Sequence, residues 1–319
     1  MTNKELYAQL CEQNTDIPIF MQPWWLDAVC AGKEWDVILV TDRETVLGAM
    51  PYLIRKRWGM KYILMPQMTQ IGGIWINRNC GVMTQDTERI VCEEIRDRLE
   101  AMGLCYYYQH YPIDSPCPEI MEGLGFTIKH RVTYRLNDLS DLDKVIDRFS
   151  RNKKRQLQKA LSLHAERGLN VEEFYRFHTH CLEQKKKKIS YSREFMLVME
   201  RKATRQQQGE TIAIRNADGV LIAAGFVVWD KNVMHYLIAA QDANYNDTGA
   251  MALLVLECIK LAREKGVIFD FEGSMIRGVA AHFKQFGSEP SSYYSVQKYY
   301  KWWFAVPYML YRLFTHKQR

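Results

Sequence analysis

Five side chains with acid–base or acyl chemistry fall within fifteen residues, Asp270, Glu272, Ser274, His282 and Lys284, in the stretch FDFEGSMIRGVAAHFKQFGSEP. The apolar–acid alternation reads as the end of a strand, with Phe269 and Phe271 on one face and Ile268, Asp270 and Glu272 on the other. An aspartate in that pattern is costly to bury alone, so Asp270 pairs with a base, caps a turn or meets solvent at the strand's carboxyl end. Gly273 permits a tight turn, and residues 277–286 follow as a short helix with Val279, Phe283 and Phe286 inward and Lys284 beside them. Two readings stand. In one, Asp270 and Ser274 hold the turn and Lys284 is a surface lysine. In the other, this is a pocket wall where Lys284 neutralises a developing oxyanion or a bound carboxyl, with Asp270, Glu272 and His235 as candidate acid–base groups.

A second feature lies upstream. The loop AQDANYNDTG runs into a helix over 250–265, with Met251, Leu254, Val255, Cys258 and Leu261 at helical spacing. Thr248, Gly249 and Ala250 at its start leave room for an anion at unpaired first-turn amides. Neither the Walker nor the dinucleotide glycine pattern is present, which removes the standard ATPase and dinucleotide readings. Tyr236 and Tyr293 complete the candidates as substrate contacts, beside Ser274.

A covalent route is poorly supported, because Ser274 lacks the G-x-S-x-G setting and no cysteine stands in a Cys/His arrangement. The eight cysteines, at 11, 30, 80, 92, 105, 117, 181 and 258, form no C-x-x-C pair. They read as buried free thiols of a reducing compartment, with no metal site.

The elements that must position these groups alternate. Strands over 36–41 and 46–54, a helix over 88–102 and a strand over 104–110 make the first half. A polar stretch, NDLSDLD at 137–143, reads as the boundary between a domain over 1–137 and one over 138–300, with a tail over 301–319. Beyond it come a helix over 153–167 with Leu157, Ala160, Leu161 and His164 on one stripe, two further helices, and a hairpin turning at Asp218-Gly219. Each half offers strand, turn, strand, long helix, strand, which points to a duplicated α/β unit.

The chain has 319 residues, 47% of them hydrophobic and 25% charged, the balance of a folded globular protein. Net charge is +6, gathered in runs such as RNKKR at 151–155 and KKKK at 185–188. These runs fit phosphate-bearing partners, tRNA among them, or simply a solvated face. No signal segment or spanning run is visible, so the expected location is the cytoplasm. The tail, YYKWWFAVPYMLYRLFTHKQR, is aromatic and basic and suits either packing on the body or a second copy, or the inner membrane surface.

The stretches FSRNKKRQLQKALSLHAERGL, GVLIAAGFVVWDKNVMHYLIAAQ and IFDFEGS followed by HFKQFGSEP resemble, in that order, the FemAB-like branch of the GNAT acyltransferase superfamily. The resemblance implies tandem GNAT-like domains, with mixed sheets flanked by helices and the active cleft in the second. It also implies transfer of an acyl or aminoacyl group from acyl-CoA or aminoacyl-tRNA, with no tightly bound cofactor, to an amine such as a cell-wall or lipid-linked precursor. The lysine of the FK segment, Lys284 here, is then expected to assist at the ester. The family's glycine-rich loop is reduced to Thr248-Gly249-Ala250, and the long paired-helix arm of its bridge-forming members is absent. Two other readings remain: an acetyl-CoA-dependent N-acetyltransferase on a small amine or amino sugar, and a non-catalytic binding protein on the same scaffold.

Overall fold

The structure, a computed structural model, describes residues 1–30, 34–81, 83–273 and 275–304. The chain forms two compact units, one of residues 1–131 with the chain from Ser292 on, the other of residues 132–291.

In the first unit, α1 (Asn3–Gln13) starts from Thr2, whose hydroxyl accepts from the Glu5 amide while the Glu5 carboxylate accepts from the Thr2 amide. There follow α2 (Pro23–Val29), β1 (Trp35–Asp42), β2 (Thr45–Arg57), β3 (Met60–Ile63), the short β4 (Trp75–Ile76), α3 (Gln85–Ala101), β5 (Tyr106–His110) and α4 (Cys117–Gly123). The strands run in the order β1-β2-β3-β5, with β4 pairing β2. The long α3 carries the chain from β3 to a parallel β5, and its stripe of Val91, Cys92, Ile95 and Leu99 packs on Ile38, Val40 and Tyr107 of the sheet.

β6 (Thr127–Leu136) leads into the second unit: α5 (Leu142–Asp147), α6 (Arg151–Lys159), β7 (His164–Arg167), α7 (Val171–Gln184), α8 (Arg193–Arg205), β8 (Gly209–Arg215), β9 (Leu221–Trp229), β10 (Val233–Gln241), α9 (Ala250–Lys265), β11 (Ile268–Asp270) and α10 (Arg277–Lys284). The strand order is β6-β11-β10-β9-β8-β7, antiparallel apart from β10 and β11. Again a long helix, α9, crosses between parallel strands, so both units repeat the expected strand–helix–strand plan. Leu254, Val255, Cys258 and Leu261 are all buried on the sheet, each large side chain contributing about 1.5–3 kcal/mol. β12 (Glu289–Tyr299) then returns to the first unit, where Ser295 to Tyr299 pair antiparallel with β5.

Three sequence expectations change. The units divide within β6 and β12 rather than at 137/138 and 300/301, because a strand runs unbroken up to the polar turn. The helix expected over 153–167 stops at Lys159, since residues 164–167 pair with β8 as an edge strand, and Leu161 is left exposed. In the tail, Phe304 stacks on Tyr62, while residues 305–319 lie outside the described residues. All eight cysteines are free and all but Cys80 are buried. Among the described residues no helix is long and apolar enough to cross a membrane.

Candidate active site

The site begins where two parallel strands part. β11 pairs with β10 over three positions, Val233 with Ile268, Met234 with Phe269 and His235 with Asp270. β10 then bulges between Tyr236 and Ile238 and continues along β9 to Gln241. A bulge bends a strand and sharpens its twist. The other chain leaves the sheet: the Phe271 amide still bonds the Tyr134 carbonyl at 2.9 Å, but Glu272 adopts φ +59° and Gly273 follows. The wedge between them is a cavity of about 440 Å³, with Tyr236, Leu237 and Ala239 on one bank and Phe271, Glu272 and Gly273 on the other.

The two acids of FDFEGS have separated roles. Asp270 is 2% exposed and fully engaged: it accepts from Arg135 Nε at 2.7 Å, from the Thr133 hydroxyl and from the Glu272 amide at 2.8 Å. It ties β11 to β6 and holds the turn that follows, which is the structural alternative of the sequence reading. Glu272 is the group left over. Its Oε1 is buried, has no hydrogen-bond partner among the described residues and lies 3.6 Å from His235 Nδ1. Burial, and secondarily the Asp270 carboxylate, holds the Glu272 carboxyl well above the usual carboxylate range. A non-glycine residue at positive φ stores strain of order 1–3 kcal/mol, a feature that gathers at functional sites. His235 is 1% exposed, and burial lowers its basicity so that it is neutral beside Glu272.

A smaller cavity of about 230 Å³ shares Met251 and His282 with the wedge and is lined beyond them by Lys153, Gln156 and Gly249, at the start of α9. Lys153 was missed in the sequence reading. It is 3% exposed, donates to Gln156 Oε1 at 3.0 Å and to His282 Nδ1 at 3.4 Å, and lies 4.7 Å from the Phe286 ring centroid. No carboxylate pairs with it among the described residues. Burial lowers the Lys153 basicity; burial and the Lys153 ammonium together push His282 down to about 4, so the imidazole is a neutral acceptor. A buried cation with no counter-charge is unfavourable by itself. Beside the unpaired first-turn amides of a 16-residue helix, it makes a site that suits an anion.

The three residues expected to hold that anion behave differently. Gly249, at φ +82°, lines the cavity, and a Cβ there would sit 2.0 Å from the Gln156 carbonyl oxygen. Ala250 is fully buried, and Thr248 spends its hydroxyl on the Tyr245 carbonyl at 2.7 Å and the Ala250 amide at 3.3 Å. Met251 and Ala252, the next residues of the first turn, also line the cavity. Gly249→Ala is therefore expected to destabilise the protein by about 2–4 kcal/mol, combining left-handed strain with overpacking, as read from denaturant midpoints.

Of the remaining candidates, Tyr236 lines the wedge, its hydroxyl turned to Met251 Sδ at 3.4 Å. Lys284 is exposed at the last turn of α10, its Nζ 5.7 Å from the Tyr134 ring centroid, and lines neither cavity. The inward face of α10 is set by Phe283, which stacks on Phe271, and Lys284 falls beside that face. Tyr293 belongs to the first unit, where its hydroxyl accepts from Gln70 and its ring meets His110 edge-on. Ser274 lies outside the described residues.

A family model described as an acetyltransferase (GNAT) domain matches residues 129–285, the stretch that holds both cavities. Among solved structures, the chain is similar to FemX, with TM-score 0.70 and 12% identity over 92% of this chain and 96% of that one. It is also similar to a tandem GNAT protein from the clavulanic acid biosynthesis pathway, with TM-score 0.54 and 12% identity over 86% and 93% of the two chains. L-PGS from Bacillus licheniformis gives TM-score 0.54 and 12% identity over 93% and 97%. No curated protein matches. The chain has an α/β GNAT-like fold, the acyltransferase-like scaffold on which the wedge and the helix terminus occur together.

Proposed function

We propose that the second unit transfers an acyl group from an anionic donor to an amine. The observation that carries this reading is the adjacency of the two cavities, which share Met251 and His282 in their walls. An uncompensated Lys153 ammonium and the start of α9 stand at one end, and an unpartnered, weakly acidic Glu272 at the other. Phosphate or carboxylate of the donor binds at Lys153 with the Met251 and Ala252 amides, and its acyl carbonyl extends into the wedge. The amine nitrogen attacks the carbonyl carbon, a C–N bond forms, and the proton released passes to the Glu272 carboxylate. Collapse breaks the bond to the donor's sulfur or oxygen, which departs with that proton. His235, neutral and 3.6 Å from Glu272, lies against the carboxyl without a hydrogen bond to it. Ordered placement of the two reactants supplies a large share of the rate.

The residues fit an acyl-CoA through one anion-binding helix terminus, while Gly249 pressed on Gln156 narrows the space under it. Acyl-CoA is the donor this geometry favours; aminoacyl-tRNA with a cell-wall or lipid-linked amine as acceptor is the second reading, supported by the likeness to FemX. Titration calorimetry of the intact protein with acetyl-CoA, and separately with an aminoacylated RNA minihelix, tests both. Saturable binding of one is expected, and binding of neither removes the transferase reading. Lys153→Met is expected to weaken the bound donor about 10–100-fold through loss of a charge-assisted contact. The same change leaves stability equal or higher by about 1 kcal/mol, because it removes a buried unpaired charge.

A further inference from the structure

Three tryptophans of the first unit stand in solvent: Trp58 is 80% exposed, Trp302 82% and Trp303 46%. Indole is a large apolar group with one polar edge, and natural surfaces rarely leave three uncovered without a partner. They belong to one end of the unit. Trp58 occupies the turn between β2 and β3, whose Met60 and Tyr62 pack with Phe304 in one small cluster. Phe304 stacks on Tyr62 at 6.4 Å and meets Trp303 edge-on at 6.4 Å.

The same hairpin is cationic. Lys56 and Lys61 face one another directly across β2 and β3, an arrangement that destabilises a strand pair unless an anion relieves it. Arg57 lies 4.2 Å over the Trp58 ring, and Arg55 Nε is buried with no hydrogen-bond partner among the described residues. No carboxylate pairs with Arg55, Lys56, Arg57 or Lys61 among the described residues. Beside them a groove of about 1060 Å³ opens toward the start of α1, where Lys4 adds a further cation. Glu34 and Asp36 are its acids, the latter engaged by the Tyr52 hydroxyl at 3.3 Å.

We propose that this end of the first unit docks on an anionic phospholipid bilayer. The tryptophans enter the headgroup layer, and a lipid phosphate lodges in the groove against Arg55. Exposed indoles flanked by cations suit that interface, where aromatic rings sit at headgroup depth and basic residues meet the negative surface potential. Attachment is peripheral, since no described helix can cross the membrane.

The test is sedimentation of the full chain with vesicles of phosphatidylcholine, with and without phosphatidylglycerol. Brominated lipid serves as a tryptophan quencher, and a single-stranded RNA oligomer as competitor. Binding to the phosphatidylglycerol vesicles alone, reversed by salt, is expected. Arg55→Glu, Lys56→Glu and Arg57→Glu together are expected to weaken partitioning about a hundredfold or more. Trp58→Ser with Trp302→Ser is expected to abolish most of the quenching while the melting temperature is unchanged. Equal binding to neutral vesicles, or no binding to anionic ones at low salt, overturns the proposal. So does RNA binding that is lost in the triple variant while vesicle binding persists. None of these readouts depends on acyl transfer, so the proposal stands or falls apart from the function of the second unit.

Discussion

Glu272→Gln is expected to lower turnover of amine acylation by about 10²–10⁴-fold, the usual contribution of a positioned general base, with little change in donor affinity. The amide keeps the shape of the wedge and removes the proton acceptor. The pH profile gives the sharper reading. The carboxylate accepts a proton only when ionised, and burial raises the pH at which it ionises. Activity of the natural protein therefore rises with pH through that raised value, and the limb disappears in the glutamine variant. Stability runs the other way. The folded protein holds this proton more tightly than the unfolded chain, so the contribution is full below the ordinary carboxylate range and is lost as pH climbs through the raised value. The variant should flatten that loss in chemical denaturation measured across the same range. A variant with unchanged turnover and an unchanged pH limb would take the base role from Glu272.

Asp270→Ala is expected to destabilise the protein by about 3–5 kcal/mol, the cost of removing one partner from a buried ion pair. Arg135, 11% exposed at the side chain, is left with an uncompensated charge, and the Thr133 hydroxyl and Glu272 amide lose their acceptor. Unfolding by urea measures the loss. Restoring neutrality with Arg135→Met in the same chain should recover a good part of it. Recovery of stability without recovery of activity would place Asp270 as the support of the Glu272 turn. A double variant no more stable than Asp270→Ala alone would overturn the ion-pair account.

The comparison of sequence and structure turns on what periodicity can convey. The alternation in FDFEGS places Phe269 and Asp270 on opposite faces, and the stripe of α9 and its glycine stop at Gly266 follow from helical spacing alone. What escapes is any feature fixed by a distant partner. Asp270 and Glu272 are alike in the sequence; Arg135 and Thr133 on β6 decide that the first is neutralised and the second is not. Lys153 hides among four other polar residues of RNKKR, yet its spacing carried a signal. It stands four residues before Leu157 and seven before Ala160, on the buried stripe of the same helix. Reading that stripe on to Leu161 and His164 obscured it, because the edge strand β7 ends the helix early. Lys284 shows the converse: a lysine next to two inward phenylalanines in sequence lies outside the wedge, one helical step round from Phe283.

The path of β12 bears on synthesis. Tyr106 donates to Gln297 Oε1 at 3.0 Å, 191 positions further along the chain, so the first unit lacks its last strand until the strands of the second unit have been synthesised. The contiguous second unit, begun later, has all its strands at hand sooner. Vectorial translation should thus close the later-encoded module first and leave the earlier one waiting, its β5 edge open, for a strand made after those of its neighbour.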